Sequence, residues 1–101
     1  MITMSRPTAG ARFLLELQSI DGPRAVYRTT VFVPDAEWAS MATLSEDGTV
    51  ELVPTGAPGE LDDTLAMFAK LLARGVAKRG EDGLPPWPQR LLRWRGPGRG
   101  E

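Results

Sequence analysis

Two pairs of acidic residues could do chemistry, because carboxylates act as general acids and bases and bind divalent cations. Asp62 and Asp63 are adjacent at the start of a predicted helix, so their side chains point in different directions. Glu46 and Asp47 precede Gly48 in a predicted turn, where aspartate is favoured for its conformation. Helix capping and turn formation therefore account for both pairs. We expect neither a catalytic residue nor a metal ligand among them.

The sequence of 101 residues contains no histidine and no cysteine. Histidine is a common general base and metal ligand, and cysteine is a common nucleophile and metal ligand, so many kinds of active site are excluded. Residues 56–59 (Gly-Ala-Pro-Gly) resemble a phosphate-binding loop, but no Gly-Lys-Ser/Thr follows them and three acidic residues do. The sequence therefore predicts a protein that is not an enzyme and has no cofactor and no metal.

The last part of the chain places two of the three tryptophans beside three arginines within nine residues. In a short helix, Trp87, Leu91 and Trp94 would share one face at spacings i, i+4 and i+7. Arg90 and Arg93 would lie beside that face. Aromatic residues bury area at partner surfaces, and arginine pairs with carboxylate or phosphate. In the alternative interpretation, the tryptophans cover an open flank of the core and the arginines are solvated.

Alternating apolar and polar residues predict four strands, which cover residues 12–20, 24–33, 38–44 and 49–53. Gly22 and Pro23 separate the first two strands, and Asp47 and Gly48 separate the last two, as expected for hairpins. The strands therefore form an antiparallel meander.

Between residues 60 and 78 the apolar period changes to that of a helix. One apolar stripe runs along this helix, formed by Leu61, Leu65, Phe68, Leu72 and Val76. Gly80 is the expected end of the helix, and Pro88 suits the first turn of a second, short helix that runs to Arg95. The predicted fold class is α+β, in the order ββββα, with one long helix packed on one face of the sheet and a short C-terminal helix.

One long helix covers one sheet face, so the other face is a second candidate surface. It carries three arginines among four apolar residues, which are Arg12, Leu14, Ile20, Arg24, Val26, Arg28 and Phe32. Such a face can bind a protein or a nucleic acid, or can be a partly solvated face with cross-strand charge pairs. From both surfaces together, the predicted partner-binding residues are Arg24, Arg28, Phe32, Trp87, Arg90, Arg93 and Trp94.

Length and charge set the remaining expectations. We predict a flexible N-terminus (1–11), one domain (12–95) and a disordered tail (96–101), and no apolar run reaches the ~20 residues that span a membrane. A cytoplasmic protein is expected.

The charge is unevenly distributed, since residues 1–69 carry a net −6 and residues 70–101 a net +5. The overall charge of −1 and the pI of about 5.5 argue against nucleic-acid binding. The favoured function is a non-enzymatic protein-interaction module, either a homodimer or bound to another protein. The alternative is nucleic-acid binding by the sheet face and the basic C-terminal segment.

Overall fold

The computed structural model describes residues 10–95, which form an antiparallel sheet and one bent helix. The elements are β1 (Ala11–Asp21), β2 (Arg24–Val33), β3 (Ala36–Ser45), β4 (Val50–Leu52), α1 (Gly59–Arg74), α2 (Val76–Glu81) and β5 (Arg90–Arg95). The strand order is β4-β3-β2-β1-β5, with antiparallel pairing throughout. The predicted α+β class and antiparallel sheet are confirmed.

The termini were predicted to be flexible or disordered. Residues 1–9 and the predicted tail, 96–101, lie outside the described residues. Ala11, which the prediction placed in the flexible N-terminus, already belongs to β1.

The predicted C-terminal helix is wrong, because Arg90–Arg95 form a fifth strand. This strand pairs with β1 from Ala11↔Arg95 to Glu16↔Arg90. A helix of only two turns is marginal by itself, whereas an 11-residue strand with an open edge leaves a row of backbone groups without partners. Strand pairing therefore overrides the local helical spacing, and the sheet has five strands rather than four.

The predicted long helix is present as one bent helix, with Gly75 between α1 and α2. The Gly75 N–H donates to the carbonyls of Leu71 and Leu72, and the Gly75 carbonyl accepts from the N–H of Arg79. Glycine has a low helix propensity, so the bend lies where the helix is intrinsically weakest. The helix ends at Glu81, one residue beyond the predicted Gly80.

The core lies between the bent helix and one face of the sheet. Its fully buried members from the sheet include Phe13, Leu15, Tyr27, Val31 and Leu44. The helix contributes Leu65, Phe68, Ala69, Leu72, Ala73 and Val76. The rings of Phe13 and Phe68 contact each other with centroids 5.4 Å apart. The predicted apolar stripe of the helix therefore packs on the sheet. Neither α1 nor α2 is both long and apolar enough to cross a membrane.

An irregularity in β1 changes which face Ile20 occupies. The pairing with β2 shifts register between Leu17 and Ser19, and Ile20 pairs with Ala25. Cross-strand partners share a face, and Ala25 belongs to the core. The prediction that Ile20 lies on the uncovered face is therefore wrong, because the irregularity inserts one residue and reverses the alternation.

Candidate partner-binding surfaces

The sheet face turned away from the helix, here called the open face, is the first candidate surface. The strand register places its central side chains in three rows across the sheet, Trp94–Arg12–Phe32–Glu37, Leu92–Leu14–Thr30–Ala39 and Arg90–Glu16–Arg28–Met41. The helices and the core cluster lie on the other face, so within residues 10–95 no helix or strand covers these rows.

Apolar side chains lie at the centre of the open face. Leu14 and Phe32 are almost fully buried, at 3% and 6% exposed. Around them, Met41, Leu92 and Trp94 are 41%, 37% and 42% exposed. Exposed large apolar side chains that share one face of a sheet are typical of an interaction surface.

Charges of both signs surround this apolar patch in equal number. The open face carries four arginines and four acidic residues, which are Arg12, Arg24, Arg28, Arg90, Glu16, Asp21, Glu37 and Glu51. Glu16 stands opposite Arg28 on one side and Arg90 on the other, and Asp21 stands opposite Arg24. These eight side chains therefore carry no net charge.

Trp87 lies in the core, on the helix side of the sheet, and is 3% exposed. Its ring centroid is 6.2 Å from that of Tyr27, whose hydroxyl donates a 2.6 Å hydrogen bond to the Pro88 carbonyl. The Arg79 Nε donates to the Pro85 carbonyl at 2.9 Å. These contacts fix the segment that leads into β5. The interpretation that the tryptophans cover the core therefore describes Trp87.

The predicted partner-binding residues divide between two surfaces. Five of them share the open face, and these are Arg24, Arg28, Phe32, Arg90 and Trp94. Trp87 and Arg93 lie on the helix side instead. The helical spacing had grouped Trp87 with Trp94, whereas strand alternation sends successive side chains to opposite faces.

A groove between α1 and β5, here called the α1–β5 groove, was not predicted. It has a volume of about 400 Å³. Its floor is apolar and is formed by Phe68, Leu71, Leu72, Pro88 and Leu91. Leu71 is 56% exposed, although it flanks the apolar stripe of the helix. The sequence signal for this groove is a leucine at the edge of the apolar stripe. That leucine indicates a groove only once the position of β5 is known.

The polar groups with altered acidity have structural roles. Burial raises the pKa of Tyr27 to about 12, against an opposing effect of Arg79, so the hydroxyl stays neutral and donates its hydrogen bond. Hydrogen bonds from Thr49 lower the pKa of Asp47, which accepts from the Thr49 N–H at 2.9 Å within a turn.

Asp62 binds the loop that precedes α1, because its carboxylate accepts hydrogen bonds from the N–H and the hydroxyl of Thr55. Across residues 10–95, no group of three or more acidic side chains could hold a metal ion.

Comparison with protein-family models, with curated proteins and with solved structures finds no significant match to this chain. The inference of function therefore rests on the two surfaces described above.

Proposed function

We propose that this protein is a non-enzymatic interaction module of the cytoplasm that forms a homodimer through the open face of its sheet. The observation that carries the proposal is the exposed apolar patch of Met41, Leu92 and Trp94 on a sheet face that no described helix or strand covers. Burial of apolar area is the main favourable term in protein association, and this patch supplies it.

The size of the open face suits a dimer. Five strands about 4.8 Å apart, the longest with 11 residues at ~3.3 Å each, make a face of roughly 20 by 35 Å that is shorter at β4 and β5. Stable interfaces bury about 800 Å² per partner, which a corrugated face of these dimensions approaches. A second copy of the same face would therefore cover the patch.

The charge pattern favours a protein partner over a nucleic acid. Four arginines and four acidic residues on one face can pair with an equally mixed face, and a second copy supplies one. Nucleic acids need an excess of basic residues, since affinity comes mainly from phosphate contacts. The nucleic-acid alternative therefore has weaker support than self-association.

Sedimentation equilibrium tests the proposal through Leu92→Glu and, on a different strand, Met41→Glu. Both side chains are exposed, so the changes should leave the monomer folded, while a charge buried without a partner in the interface should prevent association. Wild type should sediment at twice the 11.0 kDa chain mass and both variants at that mass. Phe32 is unsuitable for this test, because glutamate at a position only 6% exposed would destabilise the fold itself.

Ile20→Glu is the matched control, because Ile20 is a 56% exposed apolar strand residue on the helix side. It should stay dimeric. A wild-type chain that remains monomeric at about 1 mM would contradict the proposal, and so would Ile20→Glu dissociating as fully as Leu92→Glu.

A further inference from the structure

We propose that the α1–β5 groove binds an extended acidic segment of another protein, which adds to the sheet as a sixth strand beside β5. This inference goes beyond self-association, because the groove lies on the helix side of the sheet. The two proposals can therefore succeed or fail separately.

The edge of the sheet at β5 supplies the backbone partners. β5 is the last strand in the order, so among residues 10–95 no strand lies beyond it. The Leu17 N–H donates to the Gln89 carbonyl at 2.9 Å, and hydrogen-bonded pairs alternate along antiparallel strands. Leu92, at an odd spacing from Gln89, therefore directs its backbone groups away from β1. Its carbonyl accepts from Arg93 Nη1 at 2.9 Å, an exposed side chain that an incoming strand can displace.

The groove floor supplies apolar contacts on the helix side of the sheet. Every second side chain of an added strand would point to the helix side, because side chains alternate between faces. There it would meet Leu71, which is 56% exposed, and Leu91, which is partly buried against the core. The matching ligand therefore carries, at successive helix-side positions, an apolar residue beside Leu91 and an acidic residue beside Arg93, the next helix-side residue of β5.

The groove rim supplies positive charge. Lys78, Arg79 and Arg93 line the groove, and none of its described lining residues is acidic. Lys78 makes an exposed 3.3 Å ion pair with Asp82, a type of pair that contributes little. Arg79 and Arg93 donate to backbone carbonyls. Since a guanidinium has five N–H donors, both arginines retain donors for a carboxylate.

The same groove is poorly suited to single-stranded nucleic acid. Bases stack on open aromatic faces, but Phe68 is 6% exposed and the Arg95 guanidinium lies 5.1 Å from its ring centroid. The apolar floor and the strand edge match a peptide backbone instead. The favoured partner is therefore an extended segment that presents both apolar and acidic side chains at its groove-facing positions.

Fluorescence anisotropy with a labelled peptide of about nine residues tests this inference; every second residue, which faces the groove, is valine and glutamate in turn, and the remaining positions are threonine. We expect saturable binding to the full chain with a Kd of about 1–100 µM that weakens with salt. Arg93→Glu should weaken binding about tenfold or more, since it reverses a charge at the rim. Lys70→Glu is the matched control, because it reverses an exposed cation on α1 outside the groove lining, and it should change the Kd less than about twofold.

Two further probes identify the ligand and the binding mode. A peptide N-methylated at alternate residues should lose binding, because it cannot form hydrogen bonds with the strand edge. Oligothymidylate of equal charge should bind at least about tenfold more weakly. Any one of four results would overturn the inference. Peptide binding could fail to saturate by about 1 mM, or Arg93→Glu and Lys70→Glu could weaken it equally. The methylated peptide could bind as well as the unmethylated one, or oligothymidylate could bind more tightly than the peptide. Met41→Glu should keep peptide binding, which separates this result from that of the dimer test.

Discussion

The helix side and the open face of the sheet bury their C-terminal tryptophans to different extents. On the helix side, Trp87 is 3% exposed and contacts Tyr27, whose hydroxyl binds the chain next to it. On the open face, Trp94 is 42% exposed, although it lies only seven residues later in the chain. The comparison indicates that the helix side contributes mainly to folding, whereas the open face has apolar area to contribute to association.

The two tryptophans should respond to truncation very differently, and this is the largest expected effect. Trp87→Ala removes a buried ring from the core and should lower the free energy of unfolding by about 3–5 kcal/mol. Trp94→Ala should cost less, about 1–2 kcal/mol in the monomer, because Trp94 is 42% exposed. Urea unfolding of both variants, at protein concentrations that keep the chain monomeric, checks the difference. Equal losses of stability would remove the distinction between the faces.

The buried Tyr27 should make the helix side sensitive to high pH. Its pKa is about 10 in an unfolded chain and about 12 in the folded protein, so between these values the unfolded chain releases a proton that the folded protein keeps. Stability should therefore be unaffected by this group below pH ~10 and should fall by about 2–3 kcal/mol as the pH rises to ~12. Urea midpoints across this range give the measurement.

Tyr27→Phe is the control for that experiment. It should be less stable at neutral pH through loss of the hydrogen bond to Pro88, by about 1 kcal/mol, and less sensitive to pH between ~10 and ~12. A wild-type curve parallel to that of Tyr27→Phe would show that the tyrosine is not shielded from water.

A smaller effect is expected from a buried hydroxyl group in the core. Thr29 is fully buried on the helix side, and among residues 10–95 its hydroxyl has no hydrogen-bond partner. Thr29→Val removes this polar group at nearly constant volume and should stabilise the protein by about 1 kcal/mol. Differential scanning calorimetry should show a higher Tm, whereas a lower Tm would mean that the hydroxyl is hydrogen-bonded in solution.

The spacing of apolar residues predicted those strands and the helix whose formation depends mainly on residues close together in the sequence. Alternation identified the strands that became β1 to β4, and the apolar stripe through Phe68 identified the helix. Gly75 was not expected to separate two helical segments, because a low propensity alone does not show whether the helix continues straight.

The conformation of the C-terminal segment is determined by its pairing with β1, a contact between residues that are far apart in the sequence. Its apolar spacing fits a helix, yet the open edge of β1 draws it into the sheet. The helical spacing predicts that Trp87 and Trp94 share one face of a helix. In the structure, Trp87 lies on the helix side of the sheet and Trp94 on the open face. The α1–β5 groove escaped prediction for the same reason, since it exists only where β5 and Leu71 meet.

The most direct test of the central claim is to record methyl NMR spectra of the wild-type chain from about 10 µM to about 1 mM. Self-association through the open face predicts that the methyl resonances of Met41 and Leu92 shift with concentration, while those of Leu65 and Val76 in the core stay fixed. Spectra that do not change with concentration would contradict the account, and so would shifts confined to Leu71 and the rest of the α1–β5 groove.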